Sequence, residues 1–130
     1  MSLRVLLVEA KDGARSGLAK RLDRSAAISL VGVAHDLPEA KALAVAMPDL
    51  ILVDLHEGSG HDSQLCQTLV DALSSPVVVL TSFMTRDRWS DLHNVGVSTY
   101  LLRHINTRRL VDELNEVSHQ YEVPDKGEAQ

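Results

Sequence analysis

The chain holds a single cysteine, Cys66, among 130 residues. An intramolecular disulfide is therefore excluded, and the helical pattern around Cys66 reads it as a buried structural thiol. Aromatic residues are nearly missing: one Phe, one Trp and two Tyr make up 3% of the sequence. The core must then be aliphatic. Positive charge is outnumbered, 13 Lys and Arg against 18 Asp and Glu, for a net −5. That balance argues against direct nucleic-acid binding, which needs a basic surface. No apolar run approaches the ~20 residues of a membrane span. A core strand is expected within a few residues of Met1, so no secretory signal peptide is expected. The cytoplasm is the expected compartment.

Apolar residues make up 45% and charged residues 24% of the chain, the balance of an ordinary single globular domain. Strand and helix signals alternate five times. Short apolar runs predict strands over 4–8, 28–34, 50–54, 76–81 and 98–102. Periodicity near 3.6 predicts helices over 12–24, 38–47, 62–73 and 85–94, and a fifth starting at Asn106, a good N-cap. In the second helix Ala40, Leu43, Ala44 and Met47 share one face, with Pro38 in the first turn and Pro48 as the stop. Leu110, Leu114, Val117 and Tyr121 form the inward stripe of the fifth. Residues 122–130 are polar and aperiodic, so the domain is placed at 1–121, with a tail or the start of a linker beyond.

Strictly alternating βα units imply a parallel sheet covered by helices on both faces. The middle strands are apolar throughout, as burial on two sides requires. The expected fold is α/β, a flavodoxin-like (βα)5 doubly wound sheet with strand order 2-1-3-4-5. In such sheets chemistry gathers at the carboxyl edge of the strands. Four strand ends deliver candidates there: Glu9, Asp54, Thr81 and Arg103. Asp54 ends an apolar run, Leu50-Ile51-Leu52-Val53-Asp54, that reads as a buried parallel strand.

Four segments, in order and at consistent spacing, carry a resemblance. They are Arg4-Val5-Leu6-Leu7-Val8-Glu9, Pro48-Asp49-Leu50-Ile51-Leu52-Val53-Asp54-Leu55, Val79-Leu80-Thr81-Ser82 and Gly96-Val97-Ser98-Thr99-Tyr100-Leu101-Leu102-Arg103. Together the chain resembles a response-regulator receiver domain from Arg4 to about Val117. The third and fourth segments look most like the subgroup with helix-turn-helix output domains. The resemblance implies a signalling module rather than an enzyme. It implies that Asp54 is the phosphoacceptor, taking a phosphoryl group from a sensor histidine kinase. Thr81 is then the hydroxyl that turns toward the phosphoryl oxygens, and Tyr100 the aromatic that changes rotamer with it. Glu9, Asp54 and the backbone carbonyl of His56 are the implied Mg²⁺ ligands. The implied partners are that kinase, a second copy through the fourth helix, fifth strand and fifth helix, and a DNA-binding output domain beyond the C-terminus.

Two positions depart from the family pattern. Its second acid is Ala10 here, which replaces a metal ligand by a methyl group and predicts weak Mg²⁺ binding or none. Its lysine is Arg103, whose planar fork suits a bidentate clamp. Arg103 is therefore expected to reach Asp54 directly, giving a pocket neutralised without metal. The alternative function is a phosphorylation-independent interaction module, a pseudo-receiver. A flavin-binding reading is disfavoured, because Glu9-Ala10-Lys11-Asp12 is no phosphate-cradling loop.

The remaining candidates have plainer readings. His35, His56, His61 and His104 follow strands, but no paired spacing supports a transition-metal site, and solvated loop histidines explain them. Trp89 lies on the apolar stripe of the fourth helix. Arg86, Arg88, Arg108 and Arg109, with Asp87, Asp91, Asp112 and Glu113 among them, read either as a solvated face or as charges that pair across a dimer.

Overall fold

The structure is a computed structural model and describes residues 2–10, 17–55 and 62–121. Its elements are β1 (Leu3–Glu9), α1 (Leu18–Asp23), β2 (Ile28–Ala34), α2 (Leu37–Leu43), β3 (Leu50–Asp54), α3 (Asp62–Ala72), β4 (Val77–Thr81), α4 (Arg86–Asn94), β5 (Thr99–Leu102) and α5 (Thr107–Gln120). The strands form one sheet in the order β2-β1-β3-β4-β5, and every pairing is parallel. This is the doubly wound order expected from the βα alternation.

Every residue of β3 and β4 is buried, which explains their uninterrupted apolar sequence. Alternate residues feed two cores. On one face Leu6, Val8, Ile51, Val53, Val77 and Val79 pack against α2, α3 and α4. On the other, Val5, Leu7, Leu50, Leu52, Val78 and Leu80 pack against α1 and α5. Close packing of α2 on β2 depends on Gly32, where an added Cβ would stand 2.8 Å from the Leu43 side chain. Gly96 ends α4 at φ +109°, and a Cβ there would meet Val70 at 2.7 Å. Only glycine meets both demands at that turn.

Three caps start helices as polar side chains at these positions should. Asp36, Thr85 and Asn106 accept from the backbone N–H of Glu39, Arg88 and Arg109. The second helix is shorter than its apolar periodicity predicts. It ends at Leu43, tightens into a 3-10 turn over Ala44–Ala46, and leaves Met47 at φ 57°. Pro48 follows directly, and the α region is disfavoured for the residue before a proline, so the helix stops short of it. The predicted first helix is seen over Leu18–Asp23, and the start of its predicted range lies outside the described residues. Tyr121 follows α5 in extended backbone rather than extending the helix.

Candidate functional site

Parallel register decides what meets at the carboxyl edge. Glu9 pairs with Asp54 across β1 and β3, Asp54 with Leu80, and Thr81 with Leu102. Glu9 and Asp54 are each 3% exposed, and Thr81 is fully buried. Two carboxylates withdrawn from water need compensating charge or hydrogen bonds.

Arg103 supplies that charge to Asp54. Its backbone N–H donates to the Thr81 carbonyl at 2.8 Å, which holds the residue one step past the end of β5. From there Nη1 lies 2.5 Å from Asp54 Oδ1. Nη2 donates to the Leu55 carbonyl at 2.9 Å, and Nε to Ser82 Oγ at 3.4 Å. The fork thus joins the exits of β3 and β4. An ammonium is a point charge and cannot hold that planar set of contacts. The loop behind Arg103 is held in turn by Arg21 of α1. Arg21 Nε donates to Thr107 Oγ1 at 2.9 Å, Nη1 to the Arg103 carbonyl at 3.5 Å, and Nη2 to the Ile105 carbonyl.

Glu9 stands beside Asp54, and its carbonyl accepts from His35 Nδ1 at 3.0 Å. Ala10 is exposed and offers no oxygen from its side chain. His56 and Asp12 lie outside the described residues. Glu9 and Asp54 are the hard oxygen donors that suit Mg²⁺, but a guanidinium already sits on Asp54. A dication there has to overcome that cation with one carboxylate fewer than the family supplies. Among the described residues no three His, Cys, Asp or Glu side chains converge as a metal cluster.

Thr81 is joined to two residues whose sequence gave no sign of a role here. Its hydroxyl donates to the Phe83 carbonyl at 3.3 Å and accepts from Arg88 Nη1 at 3.1 Å. Arg88 Nη2 pairs with Asp62 Oδ2 at 2.8 Å. Arg88 is therefore an inward link between α4, β4 and α3, not a member of the solvated or dimer-pairing face expected for it. Beneath this pair lies Cys66, fully buried. Burial first, and then the Asp62 carboxylate, push its thiol up to about 12, against a smaller opposing effect of Arg88.

Tyr100 is half-buried on β5, with its ring 5.1 Å from that of Trp89, and Trp89 is 5.4 Å from His93. Trp89 and Tyr100 both pack onto the α2–α3–α4 core, so the stripe reading of Trp89 holds. Arg86, Arg108 and Arg109 are exposed. Arg109 approaches Glu113 at 3.9 Å, a surface pair of small energetic weight.

No family model matches the sequence. Over 121 residues the chain is 33% identical to the transcriptional regulatory protein LiaR of Bacillus subtilis, covering 89% of this chain and 56% of that protein. Over 117 residues it is 26% identical to the DNA-binding transcriptional activator DevR/DosR of Mycobacterium tuberculosis, covering 88% and 54%. The chain spans about half the length of the curated relatives it matches. Among solved structures it superposes on the signal receiver domain of the response regulator NarL from Mycobacterium tuberculosis. The TM-score is 0.72 at 20% identity, covering 92% of this chain and 98% of that one. A LuxR-family two-component response regulator from Aurantimonas gives 0.74 at 19% identity, covering 96% and 92%. At these identities the structural likeness speaks for the fold.

Proposed function

We propose that this chain, which belongs to the response-regulator receiver domains, accepts a phosphoryl group on Asp54 and signals through its α4–β5–α5 surface. The observation that carries this is the position of Asp54. A buried carboxylate closes β3 at the carboxyl edge, beside the acid Glu9 and in charged contact with Arg103. In the proposed step an Asp54 oxygen attacks phosphorus, and the bond from phosphorus to the histidine nitrogen of the donor kinase breaks. An acyl phosphate forms, the bond pair goes to the histidine nitrogen, and the ring, protonated on its other nitrogen, leaves as neutral imidazole. Mg²⁺ would neutralise phosphoryl charge when bound, with Glu9 and Asp54 as its protein ligands and His56 offering its backbone carbonyl. Ala10 makes that binding weak. Arg103 has to loosen its hold on Asp54 before attack, and it can then turn to the phosphoryl oxygens.

The acting unit is a signalling module, not an enzyme. Its partners are a sensor histidine kinase and a second copy of the chain across α4, β5 and α5. Leu102 of β5 and Phe83, just before α4, are exposed apolar residues on or beside that face. The length and names of the curated relatives support a DNA-binding output domain in the whole protein. The proposed site of action is the cytoplasm; among the described residues no helix is long and apolar enough to cross a membrane.

A second reading, a phosphorylation-independent interaction module, is favoured by the same Arg103 clamp together with Ala10. Incubation with Mg²⁺ and acetyl phosphate, followed by intact mass measurement, separates the two. One added phosphoryl group, absent in Asp54→Asn, supports the first. A wild type that gains none, even under a cognate kinase, supports the second.

A further inference from the structure

Arg88 has three partners on three different elements. Nη1 is shared between Thr81 Oγ1 at 3.1 Å and the Phe83 carbonyl at 3.0 Å, and Nη2 meets Asp62 at 2.8 Å. Its backbone N–H is bound at 3.1 Å to the capping hydroxyl of Thr85. The base of the side chain is thus fixed on the first turn of α4, and its tip is fixed on the first turn of α3. The Arg88–Asp62 side chains are only 21% and 17% exposed, so salt and water screen the pair less than a surface pair. Between these anchors lies a single hydroxyl, that of Thr81. Both its capacities are taken up within the β4–α4 connection: the proton by Phe83, an acceptor site by Arg88.

We propose that Arg88, anchored by Asp62, is a positioning residue that holds the Thr81 hydroxyl on the β4–α4 connection and so sets the resting state of the switch. The proposal rests on the reading of Thr81 as the hydroxyl that turns toward a phosphoryl group on Asp54. For Thr81 to turn, it must leave Phe83 and Arg88 together. The free energy of that release reduces the fraction of molecules ready to bind, and apparent affinity falls by the same factor. The fork is essential to the design. A lysine at 88 keeps its charge near Asp62 but cannot also hold Thr81 and Phe83 in one plane.

The test is a titration of the intact chain with beryllofluoride and Mg²⁺, a mimic of the phosphoryl group, followed by the fluorescence of Trp89, the one tryptophan. Arg88→Lys and Asp62→Asn should each tighten apparent binding about tenfold, a typical size for coupling between linked elements. In a Thr81→Val background neither should tighten it. A merely structural role lowers thermal stability without raising affinity. Unchanged or weaker binding overturns the proposal, as does the same gain with Val at 81, since only a coupling through the hydroxyl vanishes with it.

If no variant responds to beryllofluoride, the reading of Asp54 is what fails. Hydrogen exchange of the ligand-free protein then judges the latch alone. Asp62→Asn should speed exchange several-fold at the Arg88 and Trp89 amides, which are bonded to Thr85. The Leu110 amide, bonded to Asn106, should keep its rate. Equal protection in wild type and Asp62→Asn would overturn the latch.

Discussion

Arg103 and Asp54 face each other at 2.5 Å across the carboxyl edge of the sheet, and the two are unequally exposed. The Asp54 side chain is fully buried, while 27% of the Arg103 side chain reaches solvent. The carboxylate therefore depends on the guanidinium more than the reverse. Arg103 also has contacts to Leu55 and Ser82 at the rim.

Arg103→Ala should therefore destabilise the fold by about 3 kcal/mol, the low end for breaking a buried pair, since it removes the guanidinium that contacts the buried Asp54 carboxylate. The double variant Arg103→Ala, Asp54→Asn should recover much of that loss. Urea unfolding of the four proteins gives the cycle. If Asp54→Asn rescues nothing, the pair carries no stability and Arg103 matters only to the rim.

Ala10→Asp should strengthen Mg²⁺ binding, because it restores a carboxylate beside Glu9 where the chain now has a methyl group. Calorimetry or Trp89 fluorescence reads the change. Identical titrations would mean that position 10 does not face the metal, and that the match of β1 to the family pattern is shifted.

The fold was legible because its evidence is local. Apolar runs such as Val77–Thr81 and helical stripes such as Leu110 and Leu114 each announce their element, and alternation dictates a parallel sheet. The edge followed from the sheet, and Arg103 was expected at Asp54 because both close strands. Arg88 was not legible in the same way. Its partner Asp62 is 26 residues away, and nothing in the spacing of a charged helix face tells an inward arginine from a solvated one. The same holds for Arg21, whose acceptors Arg103, Ile105 and Thr107 are brought near by the packing of α1 beside α5. In α2 the apolar stripe ran through Met47 in the sequence, but the backbone demand of Pro48 outweighed it.

Cys66 should resist thiol reagents in the native protein at pH 8, because burial holds the thiol in its neutral form and out of reach. Its folded value near 12 lies above the ordinary 9.0. Below about pH 9 both folded and unfolded thiols are protonated, and this thiol adds no pH dependence. Between about 9 and 12 the unfolded thiol ionises and the folded one does not, so stability falls as pH rises through that window. Cys66→Ala should flatten this part of the profile in urea titrations. Rapid labelling of native protein at pH 8, faster than global unfolding, would refute the buried-thiol account.

The α4–β5–α5 surface gives the last prediction. Arg108 and Arg109 are exposed on the first turn of α5, where positive charge opposes the helix dipole. Their placement costs a few tenths of a kcal/mol or more in the monomer, so a gain elsewhere would account for it. Opposite charge across a two-fold axis is such a gain, since a symmetric interface presents the same patch twice. Asp87 and Asp91 of α4 and Asp112 of α5 are exposed acids on these helices. Reversing Arg108 and Arg109 to Glu should shift sedimentation toward monomer and, by relieving the dipole conflict, leave the monomer no less stable to heat. Restoring the dimer by reversing Asp87 and Asp91 to Lys in that background would identify the pairing. A wild type that sediments as monomer at high concentration, both unmodified and after treatment with acetyl phosphate, would remove the dimer from this domain.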